Sequence, residues 1–149
     1  MNRKPPMKNI GHRGFTLIEL LIVITIIAIL ASLVLSAAGY AQKKGARSRA
    51  EAEIAAVGAA LENYKADNGD YPQGSGSSLL ITSLMPSSGK VYFEFKSKSV
   101  DSSGWLDPFG GTYEYIYTNG FSPNNGTNNY DLWSRAGGGN STNTWVKNW

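Results

Sequence analysis

The 149-residue chain has no cysteine and only one histidine, and these absences limit the chemistry available to it. Without thiols it can form neither a disulfide framework nor a thiolate metal site, although a cysteine-free chain fits either redox compartment. The one histidine, His12, lies near the N-terminus, so any Ser-His-Asp set would have to use that terminal segment. The glycine run Gly137–Gly139 lacks the strand and helix context of a phosphate loop. These features argue against an enzyme.

Basic residues are unevenly distributed. The formal net charge is +3, but four of the fourteen basic residues lie within residues 1–14. The remainder has ten basic and eleven acidic side chains and is about neutral. The basic isoelectric point therefore describes the N-terminal segment and not a nucleic-acid-binding surface, so we expect no nucleic-acid partner.

A long apolar run follows the basic segment. From Phe15 to Tyr40 the only charged residue is Glu19, and Leu20–Ala38 is almost wholly apolar. A bilayer core requires about 20 predominantly apolar helical residues, so this run is long enough to span it. The cationic segment in front should stay on the cytoplasmic side, which places the rest of the chain outside.

Three interpretations of this run compete. An ordinary secretory signal has a shorter apolar region, about 7–15 residues, followed by a small-residue cleavage site. A plain membrane anchor leaves Glu19 unexplained, because an ionisable residue inside a membrane segment is costly and usually functional. In the third interpretation the segment is a cleavable leader followed by a filament-forming helix.

The third interpretation rests on a resemblance. The run KNIGHRGFTLIELLIVITIIAIL resembles the class III signal of prepilins, with a basic leader, a Gly, then Phe-Thr-Leu-Ile-Glu and an apolar helix. The resemblance implies that a membrane prepilin peptidase cuts between Gly14 and Phe15 and that the new N-terminal Phe15 is methylated. Glu19 is then the fifth residue of the trimmed chain.

Cleavage gives Glu19 a physical role. The cut leaves a charged amine on Phe15, which enters an apolar bundle when subunits pack into a filament. A carboxylate of the adjacent subunit can neutralise that amine, and the pairing is far stronger in a low dielectric than in water. We therefore expect Glu19 to set the register of assembly; the alternative is that it only reaches the membrane interface.

The predicted fold class is α+β, a long N-terminal helix packed on a small C-terminal antiparallel sheet. One face of the helix beyond the membrane run carries apolar residues at steps of three and four. These are Ala50, Ile54, Val57, Leu61 and Tyr64. We expect one helix over residues 15–66, ending at Asn68-Gly69. The predicted divisions are a leader (1–14), a transmembrane helix (15–39), an amphipathic helix (40–68) and a head (69–149).

The head is predicted to begin with a connecting loop, residues 73–89, that attaches to the core through apolar side chains. Three strands are expected after it, Val91–Lys96, Thr112–Thr118 and Asn129–Ser134. A basic cluster on the helix, of Lys43, Lys44, Arg47 and Arg49, has two interpretations. It is either a solvated face near lipid headgroups or a contact with acidic residues of neighbouring subunits.

Segments of the head make the resemblance narrower. ALENYKADNGDYP, WLDPFGGTYEYIY and YDLWSRAGGGN look like the major pseudopilin of type II secretion systems. That family holds calcium in its C-terminal loop, but here the acid expected after Ser134 is missing. The remaining candidate ligands are Asp131, Ser134, Asn140 and backbone carbonyls, although Asp131 can instead satisfy turn amides.

The resemblance implies a structural subunit and not an enzyme. Its expected partners are further copies in a helical filament, the prepilin peptidase, minor pseudopilins, an inner-membrane assembly platform and, before assembly, membrane lipid. The expected location is the bacterial inner membrane, with a periplasmic head, and then the periplasmic pseudopilus. A type IV pilus or competence subunit, and a single-pass membrane-anchored binding domain, are the alternatives.

Overall fold

The computed structural model describes residues 14–149, without the side chains of residues 36 and 37. The predicted leader therefore lies outside the described residues except for Gly14. The chain divides into two compact units, Met1–Ala41 and Gln42–Trp149. The predicted divisions after residues 14, 39 and 68 stay predictions.

One long helix, α1 (Leu17–Asn68), contributes to both units. Its predicted bounds were within two residues at each end, and its end at the Asn-Gly pair is confirmed. Gly69 has a φ of 86°, and its N–H donates to the Lys65 carbonyl oxygen at 2.7 Å. A residue without a Cβ adopts this left-handed conformation without steric cost, so Gly69 ends the helix.

The first part of α1 is apolar and exposed. Its large apolar side chains between Leu17 and Leu35 are 47–89% exposed to solvent. Among residues 14–149, α1 is the one helix with a stretch long and apolar enough to cross a bilayer. No part of residues 14–149 buries this surface, so it has to be covered by lipid or by other molecules.

The second part of α1 is amphipathic, as predicted. Its core-facing residues Ala50, Ile54, Val57 and Leu61 are buried, and Tyr64 packs against them. Burying each larger aliphatic side chain contributes about 1.5–3 kcal/mol to folding. This face and the sheet of the second unit share one hydrophobic core.

The second unit contains eight short strands and a second helix. The strands are β1 (Gly74–Ser75), β2 (Val100–Asp101), β3 (Gly104–Trp105), β4 (Glu114–Tyr117), β5 (Phe121–Ser122), β6 (Gly126–Thr127), β7 (Asp131–Ser134) and β8 (Val146–Lys147). The main sheet is antiparallel with strand order β1-β4-β7-β8. Two hairpins, β2–β3 and β5–β6, stand beside it. The α+β fold class is confirmed.

Two predictions about the head were wrong. The segment Val91–Lys96 is not a strand, because the N–H groups of Tyr92 and Phe93 both donate to the Leu84 carbonyl instead of to a neighbouring strand. The predicted loop 73–89 contains β1 and a helix, α2 (Ser77–Leu84). Helix α2 forms because Leu80 and Leu84, four residues apart, both enter the core.

A cluster of tyrosines fills the core of the head. Tyr113, Tyr115 and Tyr117 are buried, and each hydroxyl donates to an acceptor within the chain. Tyr113 donates to Glu53 at 2.7 Å and Tyr115 to the Pro72 carbonyl oxygen at 2.8 Å. The period-two spacing predicted one buried strand face, and β4 confirms it for Tyr115 and Tyr117, while the buried Tyr113 directly precedes the strand.

Candidate functional site

The predicted cleavage position precedes α1. Gly14 and Phe15 lie before the first helical residue and are exposed, Phe15 by 86%. Apart from Gly14 and its two chain neighbours, no atom of the described residues lies within 4 Å of where a Gly14 side chain would be built. The peptide bond between them is thus accessible in the isolated chain, as a protease substrate requires. The cleavage and methylation themselves stay predictions.

Thr16 and Glu19 form a capping box at the start of α1. The Thr16 N–H and hydroxyl both donate to Glu19 Oε2, at 2.9 and 2.8 Å. The Glu19 N–H donates in return to Thr16 Oγ1 at 3.2 Å. This reciprocal pattern satisfies helix N–H groups that otherwise have no intrahelical partner. The Thr-x-x-Glu spacing of Thr16 and Glu19 is the sequence signal of this box.

The capping box fixes the position of the Glu19 carboxylate. Both hydrogen bonds use Oε2, and the residue is exposed beside the apolar surface of α1. An anion in the first turn also interacts favourably with the positive end of the helix dipole. The carboxylate is thus held one turn from Phe15, at the surface that other molecules must cover.

The basic cluster splits into two kinds of residue. Arg47 and Arg49 each form an ion pair with the glutamate four residues further along the helix. Arg47 pairs with Glu51 at 3.2 Å and Arg49 with Glu53 at 3.0 Å. Arg47 also donates to the carbonyl oxygens of Thr144 and Trp145. Arg47 is thus used within its own chain, which neither interpretation of the cluster anticipated. Lys43 is exposed near the start of the second unit.

The candidate calcium ligands do not converge. Asp131 and Ser134 lie three residues apart in strand β7, and side chains at odd spacing point to opposite faces of a sheet. The cross-strand pairs agree with this alternation. Asp131 lies opposite Ile116, whereas Leu132, which shares the face of Ser134, lies opposite the buried Tyr115. The predicted strand Asn129–Ser134 already contained both residues, so its alternation was a signal against a shared site.

Each candidate ligand has another position in the fold. Asp131 accepts from the N–H groups of Asn124 and Asn125, at 2.9 and 2.8 Å, and so holds the β5–β6 hairpin. Ser134 donates to Asp107 Oδ2 at 2.5 Å. Asn140 is exposed in the loop beyond β7.

These contacts do not fit a calcium ion. Within residues 14–149, no three His, Cys, Asp or Glu side chains are grouped to hold a metal. Ca²⁺ takes six to eight oxygen ligands and depends on carboxylates for affinity. Asp131, Ser134 and Asn140 offer one carboxylate, and its two oxygens already accept hydrogen bonds from backbone amides.

Two family models match the chain. The prokaryotic N-terminal methylation motif matches residues 11–35. Type II secretion system protein G matches residues 38–149, about three quarters of the chain. The two matches meet close to the boundary between the two compact units, which lies between Ala41 and Gln42.

Curated proteins named type II secretion system core protein G are similar to the chain over most of its length. The one from Pseudomonas aeruginosa is 30% identical, covering 96% of this chain and 99% of that protein. The one from Klebsiella michiganensis is 34% identical, covering 74% and 77%. No solved structure gives a significant match. These matches show that this chain belongs to the type II secretion system protein G family, whose members are pseudopilins.

Proposed function

We propose that this chain is made as a membrane-inserted precursor, cut between Gly14 and Phe15, methylated on the Phe15 amine and polymerised into a pseudopilus that drives protein export. The observation that carries the proposal is the first part of α1, whose apolar side chains are exposed along more than four turns. Lipid covers such a surface before assembly, and the same part of other copies covers it afterwards.

Glu19 pairs with the Phe15 amine of an adjacent copy in this proposal. An amine within an apolar bundle requires a neutralising partner, because a charge removed from water without one costs several kcal/mol. The capping box supports the assignment, since Thr16 holds Glu19 Oε2 and leaves Oε1 outside these bonds. The pair forms at only one stagger between copies and therefore selects the register of the filament.

The partners and location follow from this assembly. The prepilin peptidase trims the precursor, and an inner-membrane platform with minor pseudopilins starts and extends the filament. The head lies in the periplasm, since the basic leader keeps the N-terminus cytoplasmic. Each contact in such a filament is heterologous and does not close. The role is structural and requires no catalytic residue.

The experiment is peptide mass spectrometry on membranes from cells that express the full chain with a prepilin peptidase. The expected product begins at N-methylated Phe15 and sediments as a filament when the assembly platform is present. A Gly14→Leu variant blocks the peptidase without altering the described fold and serves as the uncut control. A wild-type chain that retains its leader, while the same peptidase cuts another prepilin, contradicts the proposal and leaves a single-pass membrane anchor.

A further inference from the structure

The C-terminal loop between β7 and β8, Arg135–Trp145, is the segment in which the family resemblance implies calcium. It contains no acidic side chain, and the chain has none from Leu132 to Trp149. The loop nevertheless has a defined conformation, with internal hydrogen bonds from Gly138 to Arg135 and from Thr144 to Ser141. Some interaction other than carboxylate–metal ligation must therefore hold it.

Two carboxylates beside the loop, those of Asp107 and Glu114, are already occupied. Asp107 accepts from the N–H groups of Phe109 and Gly111 and from the Ser134 hydroxyl. Glu114 is paired with Arg135 at 3.7 Å. A divalent cation placed here would have to displace these donors and lie beside a guanidinium, which is electrostatically unfavourable.

Backbone carbonyls of the loop are occupied as well. Six of them accept hydrogen bonds from within the chain, and they would otherwise be available to a hard cation. They belong to Arg135, Gly138, Gly139, Ser141, Thr144 and Trp145. Six of the eleven backbone carbonyls of the loop are thus already committed to protein donors.

Arg47 supplies the positive charge at the end of the loop. Its guanidinium donates to the Thr144 carbonyl oxygen at 3.0 Å and to the Trp145 carbonyl oxygen at 3.4 Å, while Nε donates to Glu51 at 3.2 Å. A planar guanidinium presents several N–H donors in fixed directions, so it can bind two carbonyls and a carboxylate together. These contacts join α1 to a segment almost one hundred residues further along the chain.

The Trp145 side chain contacts the loop through a hydrogen bond and through its ring. Its indole N–H donates to the Gly139 carbonyl oxygen at 3.0 Å. Its ring stacks on Trp133 with centroids 5.8 Å apart and an interplanar angle of 11°, and the Arg135 guanidinium lies 5.9 Å from its centroid. Stacking and cation–π contact each contribute modestly, but together they fix the ring whose backbone carbonyl Arg47 binds.

We propose that Arg47 and Trp145 hold the C-terminal loop of this protein in the role that calcium has elsewhere in its family, so that its head folds without the metal. The two arrangements respond differently to their surroundings. A metal stabilises a fold only in proportion to its concentration relative to its dissociation constant. An intramolecular guanidinium is always present, so the loop is equally ordered in calcium-rich and calcium-free media.

The test uses the full chain in detergent micelles, with calcium chloride or the chelator EGTA. Thermal unfolding is followed by near-ultraviolet circular dichroism, and loop order by amide hydrogen exchange at Gly138 and Thr144. We expect the midpoint to move by less than about 1 °C between the two media, as for a protein that binds no stabilising ligand. A calcium-dependent rise of several degrees, reversed by EGTA, overturns the proposal.

Three variants separate the contacts of Arg47. Arg47→Met removes the carbonyl and carboxylate bonds but keeps an aliphatic chain, whereas Glu51→Gln removes only the ion pair. Arg47→Lys keeps the positive charge but loses the planar guanidinium with its several N–H donors. We expect Arg47→Met to lower the midpoint by about 4 °C and to speed exchange at Thr144 about tenfold. Glu51→Gln should change neither the unfolding midpoint nor the exchange rate at Thr144 substantially. The effects of Arg47→Lys should lie between those of Arg47→Met and Glu51→Gln.

Equal behaviour of Arg47→Met and Glu51→Gln overturns the proposal, because the carbonyl contacts then contribute nothing. Trp145→Phe provides an independent measurement. It keeps an aromatic ring over Trp133 but removes the indole donor to Gly139, and it should speed exchange at Gly138 while leaving the calcium response absent. Unchanged exchange in this variant would contradict the part of the proposal assigned to Trp145.

Discussion

The two parts of α1 belong to one helix, but their apolar surfaces are covered in different ways. Between Leu17 and Leu35 nearly every side chain is apolar, and all the large ones are exposed in the isolated chain. Between Ala50 and Tyr64 only one face is apolar, and the head covers it. The first part thus depends on lipid or other copies, and the second depends on its own chain.

The difference shows how composition determines what holds a helix. An amphipathic stripe can be satisfied by one packed layer, as in a globular domain. A helix that is apolar all round has no polar face for water and must be surrounded. A subunit that leaves the membrane to join a filament requires both arrangements, because its head must stay folded while the surroundings of its apolar part change.

The largest expected effect is on assembly. Glu19→Gln removes the carboxylate that we assign to the neighbouring Phe15 amine, and an uncompensated buried charge costs about 3–5 kcal/mol. We expect membrane insertion and head stability to be unchanged and filament yield to fall at least a hundredfold, measured by shearing and sedimentation. Thr16→Ala is the matched control, since it breaks the capping box but keeps the carboxylate. Normal filaments from Glu19→Gln would remove the assigned role.

The next effect compares two leucines of the same helix. Leu61 is fully buried, so Leu61→Ala should lower the free energy of unfolding of the head by about 2–5 kcal/mol. Leu30 is 57% exposed in the isolated chain, so Leu30→Ala should leave head stability in detergent unchanged. Urea titration followed by tryptophan fluorescence measures both. Equal losses would show that the two parts are not held separately.

Alkaline pH should unfold the head selectively. The hydrogen bond to Asp70, together with burial, raises the pKa of Tyr117 to about 12, and burial raises the pKa of Tyr130 to about 12. Burial also raises the pKa values of Tyr71, Tyr113 and Tyr115. Unfolded tyrosines release their protons near pH 10, so stability is full below pH 10 and is lost as pH rises from 10 to 12.

The absorbance of tyrosinate and far-ultraviolet circular dichroism measure that transition together. The five buried tyrosines should ionise in one cooperative step with the loss of head structure, while the apolar part of α1 keeps its helical signal in detergent. Gradual ionisation of all tyrosines without unfolding would contradict the burial on which the prediction rests.

The smallest effect belongs to Asp70. Hydrogen bonds from Tyr117, at 2.6 Å, and from the Tyr71 N–H hold the pKa of this carboxyl below its ordinary value. Its contribution is therefore present at neutral pH and is lost as pH falls below about 3.8 through the lowered pKa. Because the group is solvent-accessible, Asp70→Asn should cost below about 1 kcal/mol at pH 7. The difference from wild type should shrink by pH 3; a constant difference would assign the effect to packing.

Sequence patterns predicted those features that depend on local periodicity. The bounds of α1, its buried face and the strands at β4 and β7 follow from steps of three and four, from alternation and from the Asn-Gly stop. The segment Val91–Lys96 has strand-like composition. Its Tyr92 and Phe93 N–H groups nevertheless donate to the Leu84 carbonyl oxygen, so the segment does not pair with a neighbouring strand. That choice depends on α2, whose formation is decided by tertiary packing of Leu80 and Leu84.

The candidate site was predicted unevenly for a similar reason. Gly14, Phe15 and Glu19 form a contiguous motif, so their placement before and within the first turn of α1 could be read from spacing. Arg47 bonds to carbonyls 97 and 98 residues away, and no local pattern carries such a contact. The calcium ligands were chosen by residue type, without the alternation along β7 that separates Asp131 from Ser134.

The most direct test of this account is amide hydrogen exchange on the full chain in lipid bicelles, at a urea concentration that unfolds the head. We predict that peptides from Ala50 to Tyr64 lose protection together with the β4 and β7 peptides, while peptides from Leu20 to Leu35 remain protected by the bilayer. Simultaneous loss of protection along all of α1 would contradict the claim that its two parts are stabilised by different surroundings.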